Sequence, residues 1–189
     1  MVRNTSKKTY AKLLRDPRML SLEDPAYATV TAAYRHAAGL PPVHVEPATA
    51  NFSGAWILDE EKSSLGRRGA AFAPARLDTS HEGNSFTVRT TRILEYADDE
   101  VTEEKLALDG TESHSEFMNS PRVTRAHLSP DGTQLIMDST VQFSWGSPDS
   151  KSQVHDTWQL DEGGSALTIH RTANTPIGPQ TTTMVFDLR

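Results

Sequence analysis

No cysteine occurs among the 189 residues, which excludes thiol catalysis, zinc–thiolate centres and disulfide frameworks. No apolar run approaches the roughly 20 residues that a membrane helix needs. The first residues also lack the apolar stretch of a secretory leader, so a cytoplasmic protein is the expectation. Metal-ligand spacings such as H-x-H and H-E-x-x-H are missing, as are G-x-S-x-G, the P-loop and the dinucleotide fingerprint. Neither a metal nor a cofactor is therefore expected. Basic charge is scarce overall, with a net charge of -6. Six of the basic side chains (Arg3, Lys7, Lys8, Lys12, Arg15, Arg18) crowd into residues 1–20 against Asp16 alone, which leaves the rest of the chain more acidic still. An acidic body repels phosphate backbones, so nucleic acid is not an expected partner.

What is present divides into two parts. Residues 1–50 predict a helical extension and linker. A short helix over 6–14 would be capped by Ser6, and a second would start at Asp24-Pro25 and end at Gly39, with Tyr27, Val30, Thr31 and Tyr34 on one stripe. Pro41, Pro42 and Pro47 then enforce an extended linker. From residue 51 to 189 the pattern changes to period-2 segments at about 52–58, 74–81, 85–94, 101–108, 112–118, 122–128, 133–143, 151–160, 165–173 and 180–187. Between them lie Gly, Asp and Asn clusters such as Ser129-Pro130-Asp131-Gly132 and Asp161-Glu162-Gly163-Gly164, which suit tight hairpins. Only residues 59–73 leave room for a crossover. The fold expected is mainly β: a closed antiparallel up-and-down barrel of about ten strands, because closure protects the edges of so long a meander.

Alternation assigns faces. Leu135, Met137, Ser139, Val141 and Phe143 share one side, as do Val154, Asp156, Trp158 and Leu160, then Leu167, Ile169 and Arg171, and finally Met184, Phe186 and Leu188. Phe52, Trp56 and Leu58 join this lumen set, with Phe86 and Val88. An inward guanidinium needs a counter-ion, and Asp156 on the neighbouring strand is the natural one for Arg171. Arg171 then either anchors a ligand acid or is satisfied by Asp156. Met137, Phe143, Trp158 and Met184 either line an apolar pocket or fill a core. His114, His127, His155 and His170 lie on strands and either converge in space or, more simply, face water, with His155 and His170 on the phase opposite the lumen set; the acid runs Asp98-Asp99-Glu100 and Glu103-Glu104 read as solvated turn and edge charges.

Gly54-Ala55-Trp56 on the first strand resembles the G-x-W signature of lipocalins, and Asn51 to Asp59 looks like the opening strand of fatty-acid-binding proteins. The stretch Asp156-Thr157-Trp158-Gln159-Leu160 through Ala166 to Arg171 and on to Phe186 is similar to lipocalin-like bacterial proteins. This resemblance to the calycin barrels implies a lumen that takes a small hydrophobic or amphipathic molecule, with Met137, Phe143, Asp156, Trp158, Arg171 and Met184 as candidate contacts. It also implies that Gly54 and Trp56 mark the fold, Trp56 plugging the floor beneath an arginine such as Arg171. Residues 59–73 are too polar and glycine-rich for the helical lid of fatty-acid-binding proteins. Two other functions stay open: a cofactor-independent cyclase or isomerase that uses the lumen as its active site, and an interaction protein with a filled barrel whose basic N-terminal segment docks elsewhere.

Overall fold

The computed structural model describes residues 49–66, 73–143, 151–175 and 178–189. The expected N-terminal helices lie outside them. Ten strands follow in order: β1 (Gly54–Ser64), β2 (Arg76–Glu82), β3 (Ser85–Arg92), β4 (Glu100–Ala107), β5 (Asp109–Phe117), β6 (Ser120–Leu128), β7 (Gln134–Gln142), β8 (Lys151–Leu160), β9 (Ala166–Thr175) and β10 (Gly178–Leu188). Each overlaps a period-2 segment of the sequence. All neighbours are antiparallel, and the hydrogen-bonded order runs β4-β3-β2-β1-β10-β9-β8-β7-β6-β5. The first and last strands are therefore laddered together, with Trp56 opposite Leu188 and Leu58 opposite Phe186. The barrel is nearly closed. β4 and β5 follow one another in the chain but form no ladder, so the sheet has one seam, located between them.

Side chains bridge that seam. Glu104 of β4 accepts from the Ser115 hydroxyl of β5 at 2.6 Å and from the Thr124 hydroxyl of β6 at 3.3 Å. Its second oxygen lies 2.9 Å from Nη1 of Arg122. Glu104 was expected to be a solvated edge charge, and instead it points inward and joins the two edges. The physical reason is the pleat: Glu104 shares the phase of buried Leu106 and therefore cannot face water.

Because successive connections alternate between the two ends, the barrel has a lower end carrying the β2–β3, β4–β5, β6–β7 and β8–β9 turns, and an upper end carrying the others. The lower lumen is packed solid. Phe52, Trp56, Phe86, Leu135, Leu167 and Phe186 are all essentially without exposure there. The chain preceding β1 seals this end: the Ala50 N–H donates to the Gly132 carbonyl at 2.8 Å, and the Thr79 hydroxyl donates to the Phe52 carbonyl at 2.5 Å. His81 packs its ring 6.1 Å from both Phe52 and Phe86. Leu188, expected inside, is half exposed, because β10 ends beyond the packed floor.

The G-x-W signature has a packing cause. A β-carbon on Gly54 would come within 2.8 Å of the Trp56 ring and of Leu188, so only glycine leaves the indole its place. Thr79 then fixes the ring, accepting from Trp56 Nε1 at 3.0 Å.

Turn chemistry follows the residues. Asp131 accepts from the Ser129 hydroxyl (2.5 Å), the Thr133 N–H (3.1 Å) and the Thr133 hydroxyl (2.9 Å). Asp161 accepts from the N–H groups of Ser165 (2.7 Å) and Ala166 (2.9 Å). At the upper end β5 and β6 are joined by Met118 and Asn119, both left-handed at φ 51° and 58°. Asparagine tolerates that region; methionine adopts it against its preference. Among the described residues no helix is long and apolar enough to cross a membrane.

The turn aspartates generate a pH dependence. The Ala166 N–H and the Ser165 hydroxyl hold the Asp161 carboxyl below its usual range, and the Ser129 hydroxyl with the Thr133 N–H does the same to Asp131. A pKa lower in the folded than in the unfolded chain stabilises above the unfolded value of about 3.9 and is lost as pH falls through the folded one. The double variant Asp131→Ala/Asp161→Ala is expected to melt below the parent at pH 7. That gap should shrink steadily as the pH is taken below about 4; a gap independent of pH in calorimetric scans would contradict this role.

Candidate functional site

Rows of the register show how the lumen changes character. Along one row run Met184, Ile169, Trp158 and Leu135; along the next run Thr182, Arg171, Asp156 and Met137. The first is apolar throughout. One step toward the upper end the wall turns polar, and beyond it Ser139 and Thr124 face each other with oxygens 3.0 Å apart.

Asp156 and Arg171 are direct cross-strand partners, and their side chains meet as a fork. Nε of Arg171 donates to Oδ1 at 2.7 Å and Nη2 donates to Oδ2 at 2.8 Å. The Asp156 charge, reinforced by these hydrogen bonds and by nearby Glu104, raises the Arg171 pKa above its ordinary value. Two further pairs stand beside this one: Arg122 with Glu104, and Arg92 with Glu100. Arg122 also donates to the Ser139 hydroxyl at 2.9 Å.

These pairs border a cavity of about 120 Å³ in the upper lumen. Leu77, Val88, Met137, Ile169 and Met184 form its apolar side, and Trp158 stands at the boundary. The indole of Trp158 meets Phe86 edge-on, with centroids 5.6 Å apart. Two buried donors on this wall, Trp158 Nε1 and Arg122 Nε, have no hydrogen-bond partner among the described residues.

Of the residues singled out in the sequence, Met137, Asp156, Trp158, Arg171 and Met184 all line this cavity. Phe143 does not: it sits half-buried just past the end of β7. Trp56 and Arg171 are separated by the register, Trp56 lying opposite Leu188 and Arg171 opposite Thr182 at positions six residues apart on β10. Arg171 thus belongs to the upper wall and Trp56 to the floor. His114, His127, His155 and His170 face outward and are exposed, and no cluster suited to a metal ion occurs among the described residues.

Sequence reading missed Arg92, Glu100, Glu104 and Arg122. The signal was there in the pleat, since each continues the phase of a buried neighbour: Arg92 that of Phe86 and Val88, Glu100 and Glu104 that of Leu106, Arg122 that of Thr124 and Ala126. The charge of these residues masked their phase.

No family model matches the chain, and no curated protein matches it. Solved structures of similar shape include a zebrafish ileal bile acid-binding protein complexed with cholic acid (TM-score 0.48, 16% identity, 73% of this chain and 98% of that one). Another is a secreted abundant heat soluble (SAHS) protein from Ramazzottius varieornatus (TM-score 0.47, 11% identity, 75% of this chain and 98% of that one).

The fork predicts an asymmetry. The Asp156 side chain is 2% exposed whereas that of Arg171 is 36% exposed. Arg171→Met strands a buried carboxylate and is expected to cost about 3–5 kcal/mol in urea unfolding. Asp156→Leu should cost clearly less, because the guanidinium it strands can turn to water. The double variant should recover much of the Arg171→Met loss. Equal costs for the two single variants would contradict a buried pair.

Proposed function

We propose that this barrel binds a small, largely hydrophobic molecule with a polar end, seated in the upper lumen. The observation that carries the reading is the split lining of the cavity, apolar from Leu77 to Met184 on one side and edged by arginine–carboxylate pairs on the other. Such a wall suits an amphipathic guest, whose apolar part is drawn from water while its polar part meets groups that orient it. Size narrows the guest. A cavity of about 150 Å³ holds one benzene, so about 120 Å³ suits a guest of one ring with at most a short substituent and not a long acyl chain.

Chemistry in the lumen is less well supported. Each carboxylate on the cavity wall is held by an arginine, and no histidine or tyrosine lines it among the described residues. A general acid or base would need a group free to exchange its proton. The packed floor also argues against a deep apolar channel, since Trp56, Leu167 and Phe186 already fill it.

Native mass spectrometry of the protein purified from its source, combined with thermal shift against small aromatic and alicyclic compounds, tests the proposal. A retained or stabilising small molecule is expected, and Met137→Trp, which places an indole in the cavity, should abolish the shift while leaving the fold intact. A protein that retains nothing and is stabilised by no compound in the set would overturn the proposal.

A further inference from the structure

The polar side of the cavity is electrically complete but not complete in its hydrogen bonds. Three arginines (Arg92, Arg122, Arg171) face three carboxylates (Glu100, Glu104, Asp156), each in its own pair, so the wall is neutral as a whole. What remains unsatisfied is of one kind. Trp158 is only 4% exposed, lines the cavity, and its Nε1–H finds no acceptor among the described residues. Arg122 uses Nη1 on Glu104 and Nη2 on Ser139, and its Nε–H is likewise buried without an acceptor among the described residues.

An unmet buried donor costs stability, and an acceptor brought by a guest removes that cost. A full negative charge on the guest would serve less well. It would enter beside three carboxylates whose arginines are already engaged, and a like charge in a poorly solvated site is strongly disfavoured. We infer that the lumen selects an uncharged molecule bearing a hydrogen-bond acceptor, such as a carbonyl or ether oxygen, over the corresponding carboxylate, with Trp158 as the principal recognising donor. The inference rests on the lumen-binding reading and specifies the chemical class of ligand. Apolar contact comes from Met137, Ile169 and Met184, and Trp158 stands where that surface meets the charged pairs.

Three probes that share one ring separate the possibilities: ethylbenzene without an acceptor, acetophenone with a neutral one, and benzoate with a charged one. Each is titrated calorimetrically into the 189-residue chain at pH 7. Acetophenone is expected to bind about tenfold tighter than ethylbenzene, the size of effect one buried hydrogen bond gives. Benzoate should bind at least about tenfold more weakly than acetophenone. Benzoate equal to or tighter than acetophenone, or ethylbenzene equal to it, would overturn the inference while leaving lumen binding standing. Binding of none of the three would instead remove the lumen-binding reading and the inference with it. Trp158→Phe keeps the ring and deletes the N–H. It should lower acetophenone affinity about tenfold to the level of ethylbenzene and leave ethylbenzene unchanged; an equal loss for both probes would show that the indole donor recognises neither. Should that variant fail to fold, the ranking of the three probes on the parent protein still decides.

Discussion

A charge taken inside a barrel has to bring its counter-charge with it, and the upper half of this lumen is built around that requirement. Asp156 is buried and rests on the fork of Arg171, Glu104 rests on Arg122, and Glu100 on Arg92. The low dielectric that makes each pair strong makes each unpaired member costly, so the three pairs stand or fall together with the strands that carry them. The cavity lies beside these pairs, whereas the leucines and phenylalanines below are buried against one another.

The same pairing completes the sheet. Backbone ladders run unbroken from β4 round through β1 and β10 to β5, and only the β4–β5 seam lacks them. Glu104 spans it with one carboxylate, reaching β5 at Ser115 and β6 at Arg122 and Thr124. A single residue thus contributes both to the integrity of the barrel and to the wall of its cavity. Fold and site share parts here, and a change made for binding at Glu104 or Arg122 acts on closure as well.

Much of this was legible in the residues. Ten period-2 segments and the turn clusters between them correspond to the ten strands, because alternation and left-handed turn positions are local properties that burial enforces. The Arg171 to Asp156 pair was legible for the same reason, as both lie on the phase of unmistakably apolar neighbours. Glu100, Glu104, Arg92 and Arg122 were not, since hydrophilicity outweighed phase where the strand had few apolar residues to declare it: β4 has only Leu106 and β5 only Phe117 as a large apolar side chain on the inward phase. The seam was hidden as well. Nothing local distinguishes a hairpin with a ladder from one without, and the closure of β1 on β10 depends on the whole barrel.

The lumen divides into a filled floor and an upper half that holds the cavity, and two tryptophans report on both parts at once. Trp56 lies in the floor with its indole N–H bound to Thr79, and Trp158 stands at the cavity with its own N–H unmet among the described residues. The most direct measurement is the position of the Trp56 and Trp158 indole resonances, two of the chain's three, in a nitrogen–proton correlation spectrum as acetophenone is added. The Trp158 indole signal is expected to move in a saturable way while that of Trp56 stays in place. A stationary Trp158 signal under saturating probe, or equal displacement of both, would contradict it.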